Sequence, residues 1–143
     1  MNHPWRDERG SAAVEITMVA PVLALFILAI IFGGRLALAR QAVQSATFDA
    51  ARAASLARTQ TEAHTAATKT AAATLANQKL PCATTQLDLD TTGFAKPVGT
   101  PATITVRLVC DVATGDLGLP GIAATVPVDA EATSPLDVYR ERK

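Results

Sequence analysis

The amino-acid sequence predicts an α+β protein: a transmembrane helix that continues into a long amphipathic helix, then a second helix and a small three-stranded antiparallel sheet. Three observations predict this arrangement. An uncharged apolar run covers residues 16–34, and small apolar residues recur after it at three- and four-residue steps. Beyond residue 82, hydrophobic and polar residues alternate in three segments, as in strands with one covered face.

The apolar run is long enough to cross a membrane. Its 19 residues would form a helix of about 28 Å, close to the roughly 30 Å hydrocarbon core of a bilayer. The alternative is a secretory signal peptide cleaved after Ala37-Leu38-Ala39. That interpretation is less favoured, because the run exceeds a usual signal core and Arg35 separates it from the cleavage site. Arginines flank the run on both sides, so the positive-inside rule does not decide its orientation.

Pro21 lies inside the apolar run and is expected to kink the helix there. After Gly33-Gly34, a possible flexible point, a narrow stripe of mostly small residues extends the helix to about 40 residues. The stripe consists of Leu36, Ala39, Val43, Ala46, Ala50, Ala53 and Ala57. Asp49 and Arg52 can form an i,i+3 ion pair.

A capping box predicts the start of the second helix, with Thr59 as N-cap and Glu62 reaching back to it. This helix runs to about Asn77, and its expected buried edge is Ala63, Ala67, Ala71 and Leu75. The two helices are expected to form a hairpin.

Each predicted strand alternates apolar and polar residues. Their apolar positions are Leu87 and Leu89; then Ile104, Val106, Leu108 and Cys110; then Ile122, Ala124, Val126 and Val128. Pro127 predicts that the third strand is an edge strand or carries a bulge. Cys82 does not share the parity of Leu87, so we place it ahead of its strand.

Cys82 and Cys110 are the two cysteines, and both follow the apolar run. A disulfide in an oxidising compartment is the favoured interpretation; two free thiols are the alternative. No CxxC or His/Cys ligand spacing indicates a zinc site. A calcium site formed by Asp88, Asp90 and Asp111 is the weaker alternative to exposed strand faces without a metal.

Composition and motifs favour a structural protein. The formal net charge is zero and no basic, aromatic-rich stretch occurs, which argues against nucleic-acid binding. There is no catalytic motif or phosphate-binding glycine loop, so we expect no enzyme activity, no cofactor, no metal and no small-molecule substrate. The residues after 81 carry an acidic excess, whereas residues 35–58 are basic, and these opposite charges could guide subunit docking. The alternative is two unrelated solvated surfaces, with the basic residues facing lipid headgroups.

A charged leader ends at Gly10, and Glu15 follows five positions later at the start of the apolar run. A carboxylate inside a bilayer costs roughly 2.5–3.5 kcal/mol on the mild insertion scales, so such a residue usually has a function. If a peptidase cut between Gly10 and Ser11, the new amine of Ser11 would be the natural partner of Glu15.

This arrangement resembles the type IV prepilin motif. The string Arg-Gly-Ser-Ala-Ala-Val-Glu-Ile-Thr-Met-Val-Ala-Pro-Val-Leu, residues 9–23, is similar more specifically to the TadE-like family of the tight-adherence (Flp) pilus system. The close resemblance covers about residues 8–60. One departure is Ile16, where family members often carry an aromatic residue.

The resemblance implies a minor pilin or pseudopilin that a prepilin peptidase processes and whose partners are membrane lipid and other pilin or pilus-assembly subunits. It implies one membrane span, with the N-terminus cytoplasmic and the C-terminal part extracytoplasmic. The alternative is an uncleaved single-pass protein with a small extracytoplasmic binding domain. We divide the chain into a leader (1–10), the transmembrane helix (11–34), a helical stalk or hairpin (35–80), a β-rich head (81–133) and a tail (134–143).

Overall fold

The computed structural model describes residues 9–115 and 124–139, with side chains from Ile16 onward. The elements are helix α1 (Arg9–Ser55), helix α2 (Gln60–Asn77), strand β1 (Cys82–Asp90), a short 3-10 helix (Thr92–Ala95), strand β2 (Thr103–Ala113) and strand β3 (Thr125–Pro135). The predicted α+β class, with a long apolar first helix and a three-stranded antiparallel sheet, is confirmed. The chain forms two compact units, residues 1–36 and 37–143.

Alanines form most of the buried surface of α1 in the second unit. Four stripe residues, Ala39, Val43, Ala46 and Ala50, are buried as predicted. The buried face is wider than the predicted stripe, since it also includes Ala42, Thr47, Ala51, Ala54 and Ser55. Small side chains let neighbouring backbones approach closely, so this face can contact more than one element.

Two side-chain hydrogen bonds tie α1 to its neighbours. Thr74 of α2 donates to Asp49 of α1 over 3.0 Å, and Ser134 of β3 lies 3.0 Å from the hydroxyl of Ser55. The prediction of an ion pair between Asp49 and Arg52 is wrong. Asp49 accepts the hydrogen bond from Thr74 instead, and the described residues include no ion pair of Asp49 with Arg52.

Helix α2 begins as the sequence predicts. Thr59 is its N-cap, and the Thr59 hydroxyl accepts from the backbone N–H of Glu62 over 3.2 Å. Glu62 reaches back one residue further than expected, since its carboxylate accepts from the N–H of Arg58 rather than that of Thr59. The predicted buried edge is confirmed: Ala63, Ala67, Ala71 and Leu75 are the buried residues of α2.

The sheet has the order β1–β2–β3, so β3 is an edge strand, as Pro127 predicted. Its covered face carries the predicted apolar positions of β2: Ile104, Val106, Leu108 and Cys110 are fully buried. Strand β3 reaches Pro135, beyond the alternating segment that the sequence suggested, and Val128 and Ala132 of β3 are buried. Ile122, which we placed in this strand, lies outside the described residues.

The segment after β3 stays attached to the sheet region. The N–H of Leu136, a buried residue, donates to the carbonyl of Ala102 over 2.8 Å. The carbonyl of Val138 accepts from the N–H of Gly99 over 2.9 Å. The described part of the predicted tail is therefore hydrogen-bonded, and residues 140–143 lie outside the described part of the chain.

The disulfide between Cys82 and Cys110 is present and joins β1 to β2, with the two Cα atoms 5.4 Å apart. Cys82 is the first residue of β1, so the prediction that it precedes the strand is wrong. The register shifts between Cys82 and Thr84, which leaves Ala83 as an extra residue in β1. This β-bulge resets the alternation, so Cys82 reaches the covered face despite its odd spacing from Leu87.

We expect the C82A/C110A double variant to lose about 3–4 kcal/mol of unfolding free energy, because the bond closes a loop of 28 residues in the unfolded chain. Urea unfolding of the full chain in detergent, before and after reduction, measures this difference. If reduction and the double substitution leave the unfolding midpoint unchanged, the disulfide does not stabilise the sheet.

Gly93 is required by a close backbone approach. A Cβ at this position would overlap the carbonyl oxygen of Thr103 and come within 3.0 Å of Leu136 Cδ1. We expect Gly93→Ala to destabilise the protein by about 1–3 kcal/mol. Gly115→Ala is the matched control, since among the described residues a Cβ there meets only the Ala124 carbonyl oxygen, at 3.9 Å. Equal unfolding midpoints for the two variants would contradict this explanation.

Candidate functional site

The candidate site is the N-terminal half of α1. Gly10, Ser11 and Glu15 all lie in its first two turns, and Pro21 lies further along the same continuous helix. Ser11 and Glu15 are therefore separated by one helical turn. The side chains of residues 9–15 lie outside the described part of the structure, so the processing site stays a prediction. The kink at Pro21 also stays a prediction.

Large apolar side chains are exposed around the whole circumference of this half of α1. Val22 and Phe26 are 66% and 62% exposed, and Ile27 and Ile31, on another side of the helix, are 49% and 44% exposed. A window within Ile16–Ser55 reaches a mean hydropathy of 2.7, and none of it is buried. A helix that is apolar on every side needs an apolar environment. The described part of the chain covers one face of the second half of α1 but leaves this half uncovered. The helix fits a single-pass membrane protein.

The small residues of the apolar run contact no other element in the part of the chain that the structure describes. A Cβ at Gly33 or Gly34 would meet nothing within 4 Å. Ala20 lies in a shallow apolar surface depression with Ile16, Val19 and Leu23. In a bilayer, lipid chains or another helix would fill this surface.

Residues 10–52 match the family model described as TadE-like protein. The match confirms the resemblance that the motif around Gly10 suggested. It covers the apolar half of α1 and most of its buried half, but it does not extend to α2 or the sheet. The TadE-like family is a structural, pilus-related family. No curated protein and no solved structure shows significant similarity to this chain.

The acidic residues considered for calcium do not gather in the part of the chain that the structure describes. Asp111 accepts a hydrogen bond from the Thr84 hydroxyl, and Asp88 lies opposite Arg107 in the register. Asp90 accepts from the N–H of Thr92 over 2.9 Å, and its hydrogen bonds with the Thr92 backbone and side chain hold the pKa of this carboxyl below its usual value. The three carboxylates therefore lie at separate places along β1 and β2.

Sequence reasoning missed one surface feature. Phe48, Arg52 and Leu56 line a cleft beside Thr133 and Ser134 of β3. Phe48 and Leu56 are 54% and 63% exposed, although the helix carries them outside the apolar run. Their spacing of eight residues, a little over two helical turns, was the signal that could have indicated a shared surface.

We expect Leu25→Arg to prevent stable membrane insertion, because an arginine at the centre of the apolar run costs about 2.5–3.5 kcal/mol even on the mild insertion scales. Leu38→Arg is the matched control, since Leu38 is equally exposed but lies after Arg35. Resistance of each variant to alkaline extraction from membranes measures insertion. If both variants stay in the membrane fraction equally well, residues 16–34 are not the span.

Proposed function

We propose that this protein is a minor pilin or pseudopilin of the tight-adherence type, a structural membrane subunit matured by a prepilin peptidase that cuts between Gly10 and Ser11. The supporting observation is the TadE-like match, which begins at Gly10 and continues through a helix exposed on all sides over its apolar half. Processing, membrane insertion and assembly would then all act on one continuous helix.

The position of the Gly10–Ser11 bond suits cleavage. The bond lies in the first turn of α1, where backbone N–H groups have no partner within the helix. A helix end frays easily, so a peptidase can extend this turn without disturbing the rest of the helix. Glycine before the bond leaves no side chain for the peptidase to accommodate.

The cut would create a charge that needs Glu15. The new amine of Ser11 would lie at the positive end of the helix dipole, which repels it. A carboxylate in an apolar environment is equally unfavourable without a partner. Pairing the Ser11 amine of one subunit with Glu15 of its neighbour offsets both costs and sets the axial register between the two helices.

The disulfide supports an extracytoplasmic position for the C-terminal part, since disulfides persist in oxidising compartments. The N-terminus then lies in the cytoplasm and α1 crosses the membrane once. Prepilin peptidase, membrane lipid and other pilus subunits are the partners that this arrangement requires.

Mass spectrometry of the protein extracted from membranes tests the proposal. We expect Ser11 at the N-terminus when the peptidase is active, and an intact leader in the Gly10→Leu variant. An intact start in the natural protein would favour an uncleaved single-pass protein with an extracytoplasmic binding domain. A start at Arg40 would favour secretion.

Glu15→Ala separates assembly from cleavage. We expect this variant to be cleaved but poorly incorporated into pilus assemblies, because the Ser11 amine loses its partner. Ile16→Ala is the matched control, since it shortens the adjacent side chain without removing a charge. Normal incorporation of cleaved Glu15→Ala protein would refute the pairing.

A further inference from the structure

The cleft on the second half of α1 combines apolar surface with a cation. Its lining includes the exposed side chains of Phe48 and Leu56, with Asp49 and Arg52 between them, and Thr133 and Ser134 from β3. We name this surface the α1–β3 cleft. Exposed apolar side chains that meet in one cleft are more characteristic of a docking surface than scattered ones.

Arg52 has no carboxylate partner in the part of the chain that the structure describes. Asp49, one turn away on α1, accepts from Thr74 instead. The ion pair between Arg107 and Asp129 does not involve Arg52. The cleft therefore suits a partner that presents carboxylates together with small apolar groups.

The outer face of the sheet presents this chemistry. Its charged residues are Asp88, Asp90, Arg107, Asp111, Asp129 and Glu131, all on the face opposite to the buried positions of β2. Arg107 lies between Asp88 and Glu131 in the register, and it forms its ion pair with Asp129 at 3.2 Å. One guanidinium thus faces three carboxylates, so the row keeps a negative excess. Pro127 lies on the same face beside Asp111.

The charges of the helices and the sheet region are opposite. Residues 35–80 contain six lysines and arginines against two acidic residues. Residues 82–115 and 124–139 contain two lysines and arginines against six acidic residues. Two copies of the chain can therefore bring unlike surfaces together, whereas contacts between like surfaces are repelled.

We propose that the α1–β3 cleft binds the outer sheet face of a second copy of this chain. Arg52 of one copy meets Asp88 and Glu131 of the other. Phe48 packs against Val109, which lies on the same outer face between Gln86 and Asp129 in the register. The two patches are different, so in a pair one copy keeps a free outer sheet face and the other keeps a free cleft. The association can therefore extend beyond two copies. Neither patch includes the segment around Gly10, so the inference is independent of the proposed processing.

Charge reversal with mixing tests this contact. The full chain in detergent micelles is examined by sedimentation velocity at about 50 mM and about 500 mM salt, since salt screens exposed charges. We expect self-association at low salt, and a loss of about tenfold or more in affinity for R52E and for D88K/E131K. Mixing R52E with D88K/E131K should restore a complex, because the reversed cleft then meets a reversed sheet face.

Lys69→Glu is the matched control, since it reverses an exposed helical charge that is not among the residues lining the cleft. Circular dichroism and the intact disulfide show whether each variant is folded. If a charge reversal disturbs folding, the milder variants R52Q and F48A test the same contact. A natural protein that stays monomeric at low salt would overturn the proposal. So would association that R52E leaves unchanged, or a mixture of the reversed variants that does not associate.

Discussion

Burial of the alanine-lined face of α1 is the contact on which the folded unit depends. Ala46, Ala50 and Ala54 are fully buried, and each offers only a methyl group. Such a face contributes little apolar area per residue, so its stabilising effect depends on close approach of the neighbouring elements. The hydrogen bonds from Thr74 of α2 to Asp49 and from Ser134 of β3 to Ser55 fix that approach on two sides. The short 3-10 helix shows the same reliance on small residues, because Gly93 leaves room for the Thr103 carbonyl.

The N-terminal half of α1 needs a different environment from its alanine-lined half. Between residues 16 and 34 most of the large apolar side chains are exposed, and no other described element covers them. One helix therefore needs two apolar environments, one formed by the protein's own sheet and α2 and one formed by lipid. The TadE-like match spans both parts, so the family sequence includes the transition between them. A sheet of three strands buries little apolar surface by itself. The disulfide between β1 and β2 supplies additional stabilisation.

Much of this fold could be predicted from periodicity. The apolar run, the N-cap at Thr59 and the alternation in β2 each depend on local sequence, and each was found where expected. What failed depended on contacts between distant residues. Asp49 accepts a hydrogen bond from Thr74 instead of pairing with Arg52. The bulge at Ala83 changes which residues of β1 face the covered side of the sheet. The strand length of β3 was underestimated because alanine, threonine and serine at positions 130–134 give no alternating apolar signal. The cleft around Arg52 required knowledge of where β3 packs.

The most direct measurement compares the environments of the two halves of α1. Single spin labels at Leu25 and at Phe48, in the full chain reconstituted in lipid vesicles, report whether oxygen or a water-soluble nickel complex reaches each site. The account predicts that oxygen relaxes the label at residue 25 more strongly and that nickel relaxes the label at residue 48 more strongly. Equal nickel accessibility at both positions would show that the exposed apolar half of α1 does not lie in the bilayer, and would contradict the account.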